Sequence, residues 1–281
     1  MIKTATQLKA LIRNQAGGDS GMAQLLLRNY AMERFLERMS LSDYKDNFIL
    51  KGGMLISAMV GSHLRTTMDI DTTIHNYPLE IKAIKNTVAE ISDIRLDDNM
   101  TFKLKDVSSI MEEADYPGVR VTMDAYLDKT RIPLKIDIST GDVITPGAAR
   151  YTYKLMFEER SIAIWTYNME TVLAEKLETI ISRTSFNTRM RDYYDVYVLT
   201  KYDVNIDMSQ LRDALAATSR RRGSEMKIQN YQESLLEIQS SNAMKNQWNV
   251  YQRRNSYVGE LDWDTVFICV ESICHRVIDG A

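Results

Sequence analysis

The chain has 281 residues, of which 44% are hydrophobic and 26% are charged. This composition is typical of a globular protein, and it excludes a mainly disordered chain, a collagen-like repeat and a small disulfide-stapled domain. The formal net charge is −3, which neither favours nor excludes a nucleic-acid partner, because a neutral average can hide a basic face. Cys269 and Cys274 share one predicted helix at a spacing that favours free thiols in a reducing compartment.

The first residues are charged and amphipathic, without the apolar core of a signal peptide. No apolar run approaches the roughly 20 residues that a membrane-spanning helix needs. We therefore expect a cytoplasmic protein without membrane contact, and we expect it to be a monomer.

The apolar periodicity predicts two helices in the first 40 residues, separated by Gly17 and Gly18. A short strand at 48–50 then runs directly into Lys51-Gly52-Gly53. The next predicted elements are a helix at 54–60, a strand at 67–74, a helix at 79–91, and strands at 102–107, 118–127, 133–139 and 161–165. The remainder is predicted to be helical, at 169–183, 190–200, 208–218, 224–240 and 263–278.

This order of elements predicts an α+β fold in which a mixed-sheet core is followed by a helical C-terminal lobe. We place the first domain, with its N-terminal helices, at residues 1–160 and the helical domain at 161–281. Ligand sites commonly form where two such lobes meet, so we expect a substrate cleft there.

Two glycines followed by two carboxylates form the most informative segment. A Gly52-Gly53 turn between a strand and a helix lets the backbone approach a phosphate, and the helix N-terminus favours an anion. Asp69 and Asp71 are two residues apart on a predicted strand, so both carboxylates point to one face. Two such carboxylates repel each other unless a cation lies between them, and oxygen ligands suit Mg²⁺ carrying a nucleoside triphosphate.

A third carboxylate, Asp137, lies on a later predicted strand and shares one face with Lys135 and Ser139. If this strand lies beside the first, Asp137 completes a cluster around one or two metal ions. The alternative interpretation is that Asp137 forms an ion pair with a neighbouring lysine.

Four ordered segments carry a family resemblance: KDNFILKGGMLISAMVG, RTTMDID, LKIDI and RMRDYYDVYVL. Together they resemble the DNA polymerase β-like nucleotidyltransferases and, more closely, the AbiEii/AbiGii-type toxins of type IV toxin–antitoxin pairs. With LKALIRN and NYAMERFLERMSLSDY, the resemblance covers roughly residues 8–200.

The resemblance implies an enzyme that transfers a nucleotide from a nucleoside triphosphate to an acceptor and releases pyrophosphate. It implies Mg²⁺ as cofactor, the 3′ end of tRNA as acceptor, growth arrest in abortive infection as outcome, and a cognate antitoxin that need not touch the toxin. The implied metal ligands are Asp69, Asp71 and Asp137, and the implied catalytic residues add Lys176, Asp192 and Asp195. The implied nucleotide-binding residues are Lys51, Gly52, Gly53, Arg65, Thr66, Thr67 and Lys176.

Helical periodicity gives an independent reason to examine the last three catalytic candidates. Lys176 lies at the border of an apolar helix face, where an ammonium without a counter-charge is unfavourable, so a triphosphate would suit it. Asp192 and Asp195 lie along the buried stripe of the next helix. The alternatives are that Lys176 extends to solvent and that Asp195 pairs with Arg191.

Arginines in the second half are candidates for RNA contact, namely Arg189, Arg220, Arg221 and Arg222, although such a run is usually solvated surface. Two rival functions remain. One is nucleotide transfer to a protein or small molecule, and the other is nucleotide binding without catalysis.

Overall fold

The computed structural model of the protein describes residues 1–61, 65–111, 117–202 and 205–280. They divide into two compact units. The first comprises Met1–Ala58, Thr66–Asp142 and Ala149–Thr166, and the second comprises Met59–Arg65, Val143–Ala148 and Tyr167–Ala281. Among the helices in the described ranges, none combines the length and apolar character needed to cross a membrane.

The first unit is built on a mixed sheet. Its strands within the described residues are β1 (Phe48–Lys51), β2 (Ile70–Ile74), β3 (Met100–Met111), β4 (Pro117–Leu127), β5 (Thr130–Thr140), β6 (Ala149–Lys154) and β7 (Ser161–Thr166). Their order across the sheet is β3-β4-β5-β2-β1-β7-β6. The pairs β2/β5 and β1/β7 are parallel, and the other neighbouring pairs are antiparallel.

Strand β5 has one buried apolar face and one face that carries polar groups. Its residues Ile132, Leu134, Ile136 and Ile138 are all buried, and they alternate with more polar positions. Because successive side chains of a strand point to opposite faces, Lys135 and Asp137 lie together on the other face. The sequence-based alternation for this strand is therefore confirmed.

Within the described residues, this part of the chain contains four helices: α1 (Ala5–Ala16), α2 (Ser20–Leu41), α3 (Gly52–Val60) and α4 (Ile81–Asp93). Helix α1 ends at Gly17, which has the left-handed φ of 57° that favours glycine. Asp19 caps α2 by accepting hydrogen bonds from the backbone N–H groups of Gly21 and Met22. Helix α2 packs on β5 and β7 of the sheet.

The second unit is helical. Its helices within the described residues are α5 (Met169–Arg183), α6 (Met190–Tyr202), α7 (Met208–Arg222), α8 (Glu225–Gln229), α9 (Tyr231–Ser240), α10 (Asn242–Arg254) and α11 (Trp263–Ile278), with 3-10 turns at Thr184–Phe186 and Ser256–Val258. Helix α5 packs against α6 and α7, and α11 packs against the same two helices.

Several predicted boundaries differ from the structure. Strand β2 begins at Ile70, so Asp69 lies in a bend before the strand and only Asp71 is part of it. The helix predicted at 224–240 is interrupted at Asn230. Strand β7 belongs to the sheet of the first unit, although the division at residue 160 assigned it to the second domain. The division into domains stays a prediction.

Strand β6 and helix α10 were not predicted, because each buries too few apolar residues to give a clear period. Within β6 only Tyr153 is buried, and within α10 only Met244 and Trp248 are buried. An edge strand lacks the strong alternation of apolar and polar residues that predicts a strand, and a mostly exposed helix lacks the apolar stripe that predicts a helix.

Candidate active site

The sheet places Asp71 and Asp137 side by side. They are direct partners in the parallel register of β2 and β5, so both side chains stand on the same face. Asp69 lies two residues before Asp71, in the bend that leads into β2, where its backbone carbonyl accepts a hydrogen bond from Thr67 at 3.3 Å. The structure therefore brings together the carboxylates that sequence reasoning selected on β2 and β5.

The two glycines lie against the Asp71 carboxylate. The Gly53 backbone N–H donates a hydrogen bond to Oδ2 of Asp71 at 3.3 Å. Gly52 has a φ of +67°, and a Cβ at this position would lie 2.1 Å from the same oxygen. Position 52 therefore requires glycine both for its backbone conformation and for the close approach of Asp71.

Electrostatics make this group of carboxylates unfavourable without a cation. Burial raises the pKa of Asp71, and the neighbouring Asp137 and Asp69 raise it further, although Lys51 and the Gly53 N–H oppose the rise. Oδ1 of Asp69 is buried and accepts no hydrogen bond within the described residues. The Lys135 ammonium lies beside this carboxylate, with Nζ 3.3 Å from Oδ1 and 3.4 Å from Oδ2. A carboxylate without a hydrogen bond on Oδ1, paired in the described part of the chain only with a half-exposed lysine and lying beside a carboxylate of raised pKa, fits a divalent cation.

Asp137, unlike Asp69 and Asp71 within the described residues, forms a two-point ion pair with an arginine. Nε and Nη2 of Arg120 on β4 donate to its two oxygens, each at 2.7 Å. Arg120 is the direct antiparallel partner of Asp137, and this hydrogen bonding is the largest cause of the raised pKa of the Arg120 guanidinium. Across the described ranges, no three His, Cys, Asp or Glu side chains form a group that could hold a metal ion. Asp69 and Asp71 thus offer two carboxylates to a metal ion while Asp137 is engaged in an ion pair, and the metal role of all three stays a prediction.

Arg120 was missed by sequence reasoning, which named a lysine as the alternative partner of Asp137. The signal was present in β4, where Arg120 stands between the buried residues Val119 and Val121. A charged residue on the face opposite to two core valines must lie on the same face as the polar residues of the neighbouring strand.

Lys51 is also engaged within the sheet. Its ammonium donates to Oγ of Ser139 and to Oδ2 of Asp142, both at 2.8 Å. Burial opposes ionisation of Asp142, but Lys51 and Ser139 together hold the pKa of that carboxyl below its usual range. The role of Lys51 in nucleotide binding stays a prediction.

A second cluster of predicted residues lies in the helical unit, around Asp195. Asp195 and Arg65 are fully buried, with Nε of Arg65 at 2.6 Å from Oδ1 and Nη2 at 3.3 Å from Oδ2 of Asp195. Nζ of Lys176 lies 2.6 Å from Oδ1 of Asp192 and 3.2 Å from Oδ2 of Asp195. Two cations and two carboxylates therefore form one buried network.

This network corrects the expectation for Lys176. Its ammonium does not lack a counter-charge, because Asp192 and Asp195 both supply one. Although burial opposes its charge, the two carboxylates keep the pKa of Lys176 above its ordinary value. Burial likewise opposes ionisation of Asp195, but Arg65 and Lys176 keep its pKa low. The arginine hydrogen-bonded to Asp195 is Arg65, whereas the sequence-based alternative named Arg191.

The two threonines and the arginines predicted to bind nucleotide or RNA differ in exposure. Thr66 and Thr67 are buried. Arg189 has a side chain that is 56% exposed, with Nε 3.5 Å from Oδ2 of Asp192. Arg220 and Arg221 are exposed at the end of α7. Arg222 pairs instead with Glu175 at 3.4 Å and with the buried Glu178, so it joins α7 to α5.

The model of one protein family, described as the nucleotidyl transferase AbiEii toxin of type IV toxin–antitoxin systems, matches residues 34–268. The chain belongs to the AbiEii family. It is therefore a nucleotidyltransferase toxin by family, and the resemblance inferred from the four sequence segments is confirmed. The AbiEii match extends further toward the C-terminus than the predicted 8–200, so helices in which no motif was recognised are part of the family region, while residues 8–33 lie outside it.

Solved structures share the fold of this AbiEii protein. The crystal structure of JHP933 from Helicobacter pylori has 13% sequence identity and a TM-score of 0.54, covering 92% of this chain and 93% of that one. A second H. pylori protein, provisionally assigned as a nucleotidyltransferase, has 14% identity and a TM-score of 0.53, covering 92% and 96%. At such identities the likeness shows the fold alone. No curated protein matches the chain.

Proposed function

We propose that this AbiEii protein transfers a nucleotide from a nucleoside triphosphate to the 3′ end of an RNA, with tRNA as the acceptor that the family resemblance favours. The observation that carries the proposal is the arrangement around Asp71. Its carboxylate is fixed against Gly52 and Gly53, paired in register with Asp137, and preceded in the same segment by an Asp69 oxygen that accepts no hydrogen bond within the described residues.

Asp69 and Asp71 would hold Mg²⁺, which supplies charge neutralisation for the triphosphate and polarises its phosphorus–oxygen bonds. In the reaction, the acceptor hydroxyl oxygen forms a bond to the α-phosphorus, and the bond from the α-phosphorus to its bridging oxygen breaks. Pyrophosphate leaves with that bridging oxygen. The role of this chain's residues is to bind and orient the two reactants and to accept the hydroxyl proton.

Among the candidate bases, Asp137 has the best support. It is the strand neighbour of Asp71, and its side chain retains partial exposure, at 13%. Asp195 is a poorer candidate because it is fully buried between Arg65 and Lys176, and its low pKa makes it a weak base. For Asp137 to accept a proton, Arg120 must release at least one of its two oxygens.

For Lys176 we propose a role within the buried network. Its ammonium holds Asp192 and Asp195 in place, and the network as a whole presents Arg189 at the start of α6. We further propose that the protein acts in the cytoplasm as a monomer in abortive infection. The family implies a cognate antitoxin, and we propose that this antitoxin acts without touching the toxin.

The test is to incubate purified protein with each labelled nucleoside triphosphate, Mg²⁺ and total RNA, with parallel reactions in EDTA. Labelled tRNA in the Mg²⁺ reaction alone supports the proposal. Label in protein or in a small molecule would support transfer to a different acceptor, and nucleotide binding without label would support a non-catalytic module. Expression of wild type should slow bacterial growth, and Asp69→Ala should relieve that effect. Equal toxicity of both forms would contradict an enzymatic cause.

A further inference from the structure

The helical unit contains a cavity that the proposed chemistry does not use. It is an open cavity of about 390 Å³, lined by residues at the start of α6 and by residues of α10. Met190, Val250 and Tyr251 form its apolar lining, and Gln247 and Arg254 supply polar groups. Its volume is within the range of small-ligand pockets, which combine an apolar lining with a few polar groups in the same way.

A residue of the cavity lining has a side-chain acceptor that lacks a donor. Oε1 of Gln247 is buried and has no hydrogen-bond partner within the described residues. An unmet buried acceptor is unfavourable, so a ligand that brings an N–H group would stabilise this site. Asn246 adds a second amide to the lining. Amide side chains pair with the edges of nucleobases, which present N–H donors and acceptors in one plane.

An exposed aromatic side chain lies close to the cavity along the chain. Phe186 is 85% exposed, and it precedes the cavity residue Thr188 by two positions. The turn that presents it begins at Thr184, a β-branched residue with a left-handed φ of 49°. Unpaired bases of single-stranded RNA stack on such exposed aromatic rings.

The charge of both walls favours a polyanion. Arg254 lines the cavity, and Arg189 stands between the lining residues Thr188 and Met190 with more than half of its side chain exposed. The sequence contains no Asp or Glu from residue 184 to 190 or from residue 242 to 254. Arg189 also faces Asp192 at 3.5 Å, but that carboxylate is already paired with Lys176 at 2.6 Å. Phosphates would therefore meet positive charge on both walls.

We propose that the surface formed by Phe186, Arg189, Met190, Gln247, Tyr251 and Arg254, here called the Phe186 surface, binds an unstacked nucleotide of the single-stranded RNA acceptor. This inference rests on the proposed function, because that function makes RNA the acceptor. The base lies in the cavity against Gln247, a neighbouring base stacks on Phe186, and Arg189 and Arg254 contact the phosphates.

The test measures RNA binding without catalysis. Fluorescence anisotropy with a short unstructured oligoribonucleotide, in EDTA and without nucleoside triphosphate, gives Kd for wild type and for Phe186→Ala, Gln247→Ala and Arg254→Ala. Phe186→Ala should weaken binding about 5- to 150-fold through lost stacking. Arg254→Ala should reduce the slope of log Kd against log salt by about 0.7, the contribution of one phosphate contact to a single strand.

Matched controls come from the same unit. Leu236→Ala removes an apolar side chain that is 65% exposed on α9, and Arg276→Ala removes an exposed cation on α11. Both should bind RNA as wild type does. If Phe186→Ala and Arg254→Ala also bind like wild type, or if wild type binds no RNA, the inference is wrong.

The RNA-binding test of the Phe186 surface and the transfer test of the proposed function can fail independently. Nucleotide transfer to RNA by wild type, together with unchanged RNA binding by the variants, would exclude the Phe186 surface and leave the proposed function standing. Loss of RNA binding in the variants, together with no transfer to RNA by wild type, would support the surface and contradict the proposed function.

Discussion

Arg120 on β4 donates hydrogen bonds to both oxygens of Asp137 on β5, each at 2.7 Å. On its other side, β5 pairs Asp137 with Asp71 of β2. The guanidinium thus supplies, within the sheet, positive charge that a metal ion would otherwise bring to this carboxylate. Within the described residues, no arginine pairs with Asp69 or Asp71 in this way: Asp69 faces the Lys135 ammonium at 3.3 Å and 3.4 Å, and Asp71 accepts the Gly53 N–H. The three carboxylates are therefore not equivalent, and Arg120 sets Asp137 apart.

Removal of Arg120 should make stability depend on Mg²⁺. In EDTA, Arg120→Ala should lower the free energy of unfolding by about 1 kcal/mol, a modest loss because the guanidinium is partly exposed. Mg²⁺ should recover part of that loss, since the cation can then neutralise Asp137 as well. Thermal unfolding of wild type and variant in EDTA and in Mg²⁺ measures both effects.

Arg131→Ala is the matched control, because Arg131 pairs with Asp124 at 2.8 Å across the same two strands. Its unfolding should not respond to Mg²⁺ more than that of wild type. Equal responses to Mg²⁺ in Arg120→Ala and Arg131→Ala would contradict the inference that Arg120 supplies Asp137 with charge that a metal ion could otherwise bring.

Gly52→Ala should damage both stability and transfer. The added Cβ would lie 2.1 Å from Oδ2 of Asp71, in addition to the left-handed backbone. Gly17→Ala is the matched control, because Gly17 has a similar φ of +57° and, among the described residues other than its chain neighbours, no atom lies within 4 Å of the added Cβ. The control should lose roughly 1–2 kcal/mol from backbone strain alone, and Gly52→Ala should lose more and also abolish nucleotide transfer. Equal losses in chemical denaturation, with transfer retained, would exclude the close approach to Asp71.

Sequence reasoning predicted the sheet, the helical second half and the side-by-side carboxylates, because alternation on β5 and helical periodicity on α5 and α6 are strong local signals. It did not predict Arg120 as the partner of Asp137 or Arg65 as the partner of Asp195. These pairs join residues 17 and 130 positions apart, and only strand register or helix packing brings them together. Charge balance at a buried site is a property of the tertiary structure, which explains why Lys176 was expected to lack a counter-charge.

Because of Glu33 on α2, the free energy of unfolding should fall as the pH rises from about 4.5 to about 7. Burial raises the pKa of this carboxyl from 4.5 to about 7, even though the Met156 N–H and the Tyr153 hydroxyl donate hydrogen bonds to it. The folded state therefore binds a proton more tightly than the unfolded state, and the stability associated with that proton is lost between about pH 4.5 and pH 7. Glu33→Gln should flatten this dependence, and the difference should reach roughly 3 kcal/mol above pH 7. Urea unfolding across this range measures it, and parallel curves for the two proteins would contradict the prediction.

Asp71→Asn should abolish transfer without lowering stability. Burial and two neighbouring carboxylates disfavour the charge of Asp71, so a neutral amide should leave the free energy of unfolding at pH 7 unchanged or higher. The amide oxygen can still accept the hydrogen bond from Gly53. Transfer should be lost because a metal ligand has been neutralised. Unfolding in urea and a labelled-nucleotide assay check the two parts, and wild-type transfer by Asp71→Asn would refute the metal assignment.

Lys176→Met should destabilise the protein strongly, because Asp192 and Asp195 would lose a cation that lies 2.6 Å and 3.2 Å from their oxygens. Removal of one member of a buried charge network leaves an uncompensated charge, which costs about 3–5 kcal/mol. Lys176→Met combined with Asp192→Asn removes one charge of each sign, so the double variant should be more stable than Lys176→Met alone. Asp195 would then remain paired with Arg65. The free energies of unfolding of wild type, both single variants and the double variant form a thermodynamic cycle. If the two substitutions prove additive in that cycle, Lys176 and Asp192 are not coupled, and the ammonium extends to solvent as the sequence-based alternative predicts.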